Sequence, residues 1–104
     1  MMVEWVEVAR ETDIPDNEGR AFTVKGLKIA IFRVDGDLYA IDDTCPHAKT
    51  AQLSMGFLDG AVVECPLHQS CFDVRTGKVL SAPATEDVRT YPVRVEAGAV
   101  QLQV

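Results

Sequence analysis

Four side chains limit what this chain can fold into. Cys45-Pro46-His47 and Cys65-Pro66-Leu67-His68 lie seventeen residues apart, and the whole chain holds two histidines and three cysteines. A fold that uses these donors together must bring two short loops face to face and hold them rigidly. Each loop offers one thiolate and one imidazole. A structural zinc site usually groups its cysteines on one turn and its histidines on a helix. Mixing soft and borderline donors within each loop suits a two-iron, two-sulfide core, in which one iron takes both sulfurs and the other both ring nitrogens. A tetrahedral zinc site on the same four residues is the alternative reading of this spacing. Pro46 and Pro66 fix φ and carry no N–H, so they stiffen the loops. The amides of His47, Ala48, His68 and Gln69 are then left to point at sulfur.

The rest of the chain reads as short strands joined by tight turns. Residues 5–8, 21–24, 28–34 and 38–41 carry strand composition, with Gly26 and Asp35-Gly36 marking turns. Residues 12–19 are rich in turn formers. Gly56 to Gly60 reads as a strand end and turn, and residues 61–64 deliver Cys65 at a strand terminus. Residues 72–74 and 79–80 flank Arg75-Thr76-Gly77-Lys78 as a second hairpin, so the loops would grow from a small three-stranded sheet. Val93 and Val95 alternate with Arg94 and Glu96, Ala97-Gly98 turns the chain, and Val100, Leu102 and Val104 share one face of a last strand. Only residues 49–55 offer as much as one helical turn. The expectation is one all-β domain over residues 1–104.

Composition narrows the partners. With 47% hydrophobic and 25% charged residues the chain is a globular one, and its net charge of −6 disfavours nucleic acid and anionic membrane. It favours docking to a protein with a basic patch. Asp42, Asp43, Glu64, Glu86 and Asp87 are candidates for that docking surface. The N-terminus shows neither a signal peptide nor a membrane anchor. Cys71, with no disulfide partner, reads as a small inert residue and fits a reducing cytoplasm.

The motif C-x-H-x17-C-x2-H, continued by Gln69-Ser70-Cys71-Phe72-Asp73, Arg75-Thr76-Gly77-Lys78 and Tyr91-Pro92-Val93-Arg94-Val95, closely resembles the Rieske family. The resemblance implies a Rieske fold: antiparallel sheets forming a base domain, with a small cluster-binding insertion at about residues 43–81. It implies one [2Fe-2S] cluster held by Cys45, His47, Cys65 and His68. It places Pro83 in a segment that covers the cluster; an ordinary linker proline is the other reading of that residue. High-potential members link their ligand loops with a disulfide, whose positions here are Thr50 and Leu67, and add a Ser and a Tyr hydroxyl beside the sulfurs. Ser70 keeps the first and Phe72 replaces the second, which implies a reduction potential near the low end of the Rieske range, about −150 mV. Ser70 also reads simply as a turn hydroxyl bonding local backbone.

A cluster without an open coordination site binds no substrate, and both histidines are used as ligands, which leaves none for acid–base work. The expected role is therefore one-electron transfer rather than catalysis. The small unanchored form resembles the ferredoxin component of bacterial aromatic-ring-hydroxylating dioxygenase systems. That resemblance implies a cytoplasmic monomer carrying electrons from an NAD(P)H-dependent flavin reductase to a terminal oxygenase, with His47 and His68 as the exit route. A Rieske-like small subunit of an assimilatory nitrite reductase is the alternative.

Overall fold

The computed structural model describes residues 4–67 and 69–104. Among the described residues ten strands run in the order β1 (Trp5–Arg10), β2 (Gly19–Val24), β3 (Leu27–Val34), β4 (Asp37–Asp42), β5 (Phe57–Asp59), β6 (Val62–Glu64), β7 (Cys71–Asp73), β8 (Thr90–Tyr91), β9 (Val93–Glu96) and β10 (Ala99–Gln103). They form three antiparallel sheets, ordered β1-β10-β9, β2-β3-β4-β8 and β5-β6-β7. Helical structure among the described residues is limited to single 3-10 turns at Glu11–Asp13 and Leu53–Met55. No helix of the described residues is long and apolar enough to cross a membrane.

Local sequence sets three of the hairpins. Lys25-Gly26, Asp35-Gly36 and Ala97-Gly98 each take two consecutive positive φ values (52° and 78°, 51° and 85°, 51° and 80°). Two such residues make the tight turn whose twist matches that of the paired strands, and glycine enters that region without steric cost.

The four-stranded sheet is covered on both faces. Successive side chains of a strand point to opposite sides. Ile29 and Ile31 of β3 pack with Ile14, Val24, Ala40, Val100 and Leu102 against the three-stranded base sheet. Ala30, Phe32 and Val34 turn the other way, to Ile41, Leu53, Val63 and Phe72. That double cover is why residues 29–34 form a nearly continuous apolar run rather than an alternating one. Arg33 interrupts the run. Its guanidinium donates to Ile14 O at 2.6 Å and Glu11 O at 2.7 Å and so ties down the turn-rich loop.

One strand expectation changes. Residues 79–80 form no strand; Val79 makes only an isolated bridge to Phe72, and the third strand of the small sheet is β5. Val93 and Val95 lie in β9, an edge strand beside β10, where Val95 stands 41% exposed.

Candidate metal centre

The chain leaves the base at the end of β4, and Asp43 starts the first loop. Its N–H donates to Lys28 O at 3.0 Å and its carbonyl accepts from Leu53 N at 2.7 Å. Its buried carboxylate accepts from Ser54 N at 2.8 Å and Gln52 Nε2 at 3.2 Å. With the bridge between Thr44 and Gln52, these bonds close residues 44–54 into a loop. Inside it, Cys45 N–H donates to Ala51 O at 3.1 Å. The second loop repeats the device: Cys65 follows β6, and its N–H donates to Ser70 O at 2.7 Å. Each cysteine amide thus closes the loop that carries its own thiol.

Both thiols sit in the apolar cluster with Phe72, Ile41 and Leu53, at 0% and 1% exposure for Cys45 and Cys65. They are near enough for Cys45 to perturb Cys65. Burial pushes the Cys65 thiol up to about 11; the Leu67 amide works against this, and the hydrogen bond and charge of Cys45 add to it. A metal taken up by this pair therefore displaces a tightly held proton. Leu67, whose amide lowers the Cys65 thiol, was not among the residues named from sequence. The signal for it was weak, since nothing but its place between Pro66 and His68 marks Leu67. Gln69 adopts a left-handed φ of 63°, a conformation that glycine occupies at less cost.

His47 is exposed, on the lip of a cleft of about 140 Å³ that has Pro46 and His47 on one side and Pro83, Ala84, Thr85 and Glu86 on the other. Pro83 therefore lies across this cleft from the first loop. His68, the fourth ligand expected from sequence, lies outside the described residues. Among the described residues no three His, Cys, Asp or Glu side chains gather to hold a single metal ion. The thiols form a pair of their own, and that donor set fits the sulfur-ligated iron of a two-iron cluster.

The remaining candidates divide. Ser70 is fully buried, and its Oγ accepts from Ala84 N at 2.9 Å, fourteen residues away, so it is not bonded to a local turn. Cys71 is half-buried with its sulfur on Gln69 O at 3.6 Å. Of the five acids expected to dock a partner, three have structural tasks. Asp43 closes the first loop, Asp42 accepts from Tyr91 Oη at 2.6 Å and Arg89 N at 3.2 Å, and Asp87 accepts from Val79 N at 2.9 Å. Glu64 and Glu86 remain as candidate docking acids, with Glu86 exposed in the cleft beside His47.

Residues 4–103 match the family of Rieske-like [2Fe-2S] domains. The ferredoxin component of the naphthalene 1,2-dioxygenase system of Pseudomonas putida is 45% identical over 96 residues, covering 92% of this chain and 91% of the relative. The ferredoxin of Sphingomonas yanoikuyae B1 superposes with a TM-score of 0.91 at 30% identity, covering 97% and 99% of the two chains. A chain from the complex of reduced oxygenase and oxidized ferredoxin in carbazole 1,9a-dioxygenase superposes at 0.88 with 37% identity, covering 95% and 92%. A putative nitrite reductase small subunit from Mycobacterium tuberculosis superposes at 0.88 but is 23% identical, a likeness of fold alone. Paired buried thiols on a three-sheet antiparallel scaffold, together with these matches, establish that the chain belongs to the Rieske-like [2Fe-2S] domain family and carries one Rieske-type cluster.

Proposed function

We propose that this chain is the ferredoxin of a multicomponent aromatic-ring dioxygenase system, a monomer of the cytoplasm that takes single electrons from an NAD(P)H-dependent flavin reductase and passes them to a terminal oxygenase. The ligand assignment is Cys45 and Cys65 on one iron and His47 and His68 on the other, within a single domain whose cluster-binding part spans about residues 43–81. The observation that carries the reading is the burial of both thiols in one apolar cluster, with His47 exposed two residues from Cys45. When bound, the cluster accepts and releases one electron without changing its ligands.

The chain's own residues do the rest. The core under Cys45 and Cys65 keeps both sulfurs in fixed positions, and the Leu67 amide offsets part of the charge on sulfur. Exposed His47 shortens the path to a partner. Met55, Phe57, Leu67 and Leu80 are exposed at 70%, 68%, 42% and 50%. All four lie in the part of the chain that carries the candidate ligands, and they offer a docking partner apolar contacts. The reduction potential belongs near the low end of the Rieske range, about −150 mV.

The reconstituted protein tests this directly. Electron paramagnetic resonance of the reduced form distinguishes mixed His/Cys ligation from all-Cys ligation. H47A and H68A are expected to lose that signal and the reversible redox step. An intact, reversibly reducible centre in either variant would overturn the ligand assignment. A wild-type centre that no flavin reductase reduces and no ring-hydroxylating oxygenase reoxidises would overturn the circuit.

A further inference from the structure

Segment 81–86 has no sheet partner, yet it stands across the cleft from the first candidate ligand loop. Two hydroxyls hold it to the other loop. Ser70 Oγ, on the second loop, accepts from Ala84 N at 2.9 Å. Ser81 Oγ, on the segment, accepts from Cys71 N at 3.0 Å. The bonds are reciprocal: each side supplies one hydroxyl acceptor and one amide donor. Beyond them the segment is moored at Val88, whose N–H donates to Gly77 O at 2.8 Å, and at Asp87, whose carboxylate accepts from Val79 N at 2.9 Å.

We propose that Ser70 and Ser81 are positioning residues that form a two-point clasp, and that this clasp keeps segment 81–86 closed over the cluster and so sets the access of solvent to it. The strap links the two loops: Pro83 faces Pro46 and His47 on one side, and Ala84 is bonded to the second loop on the other. Ser70 is at 0% exposure and Ala84 at 5%, so losing the hydroxyl strands a buried amide. Such an orphaned group raises the population of the open strap by roughly five- to a hundredfold. Solvent access is one of the quantities that set a cluster's potential and lifetime. Water beside the cluster favours the reduced form, which carries one more negative charge, so opening shifts the midpoint upward.

The proposal rests on the family's cluster and not on the identity of the electron partners, so its failure is distinguishable from failure of the circuit proposed above. The experiment compares the cluster-loaded wild type with S81A, S81T, S70A and T76A. Thr76 accepts from Lys78 N at 3.3 Å in an exposed turn of the same hairpin and serves as the control hydroxyl. The readouts are hydrogen exchange at the Ala84 and Cys71 amides, the midpoint potential, and the half-life of the cluster's visible absorption under a chelator. S81A is expected to speed exchange at Cys71 by roughly two- to tenfold, to raise the midpoint and to shorten the half-life. S81T, which keeps the Oγ acceptor, is expected to restore all three. S70A should speed exchange at the Ala84 amide and shorten the half-life; the midpoint is compared between S81A and S81T. Should S70A fail to fold, the exposed Ser81 pair decides alone. Wild-type exchange and half-life in S81A would overturn the clasp. So would equal losses in S81A and T76A, or no rescue by S81T.

Discussion

Replacing Asp43 by alanine tests how the first loop is held. Its carboxylate is 1% exposed and accepts from Ser54 N at 2.8 Å and Gln52 Nε2 at 3.2 Å, with no ion-pair partner among the described residues. Each hydrogen bond to a charged acceptor contributes about 1.5–3 kcal/mol, so the gross loss in D43A is about 3–6 kcal/mol. Against this, burying a carboxylate without a counter-ion costs several kcal/mol, which the substitution recovers in part. The net expectation is a loss of about 1–3 kcal/mol, or roughly 5–20 °C in Tm for a domain of this size. D43N separates the two effects. The Asn carbonyl still accepts from Ser54 N, and the Gln52 amide can turn to accept from the new NH2 group, while the buried charge is gone. D43N is therefore expected within about 1 kcal/mol of wild type. Thermal and urea unfolding of the cluster-loaded protein measure both, with visible absorption reporting the cluster and circular dichroism the fold. Equal destabilisation of D43A and D43N would refute the reasoning, because charge rather than acceptor geometry would then hold the loop. A silent D43A would refute it as well.

Other outcomes follow from single positions. Gly77 has a φ of +77°, and a Cβ there would lie 2.1 Å from Val88 O. G77A should cost at least about 2 kcal/mol in urea unfolding, from left-handed strain plus displacement of the strap's mooring. Gln69, at φ 63°, should gain from substitution by glycine. Relief of about 1–2 kcal/mol outweighs the added unfolded-chain entropy of about 0.5–1 kcal/mol, so Q69G should raise Tm slightly and Q69A should not. Tyr91 donates to Asp42 Oδ1 at 2.6 Å, and burial, then the Asp42 bond and charge, push its phenol up to about 12 while Arg89 opposes them. Because the folded value lies above the unfolded one of about 10, this contribution is complete below about pH 10 and is lost as pH rises towards 12. Unfolding midpoints measured across that interval should fall in the wild type and should lack this component in Y91F.

Much of the molecule was legible from local pattern. The X-Gly turns at residues 25–26, 35–36 and 97–98 announce themselves, because few residues tolerate paired positive φ. The donor spacing around Cys45 and Cys65 was equally plain, since proline and the paired Cys and His leave few other chemistries. The assignment of residues 79–80 failed because a Val-Leu pair carries no information about its neighbour. The place was taken by β5, whose Phe57 pairs with Glu64. Nor could sequence rank the acids: Asp42, Asp43 and Asp87 look like surface residues until their hydrogen-bond partners are known.

By itself, the sequence determined the chemistry of the donors, the turns and the strand-forming segments, because each of these is fixed by a residue's own geometry and those of its immediate neighbours. Only the tertiary structure decided that the two thiols share one buried cluster, that β3 is buried on both faces, and that Ser70 reaches Ala84 fourteen residues away. Such contacts join residues distant in the chain, and they are set by how three sheets pack and which polar groups that packing buries, which no local window records.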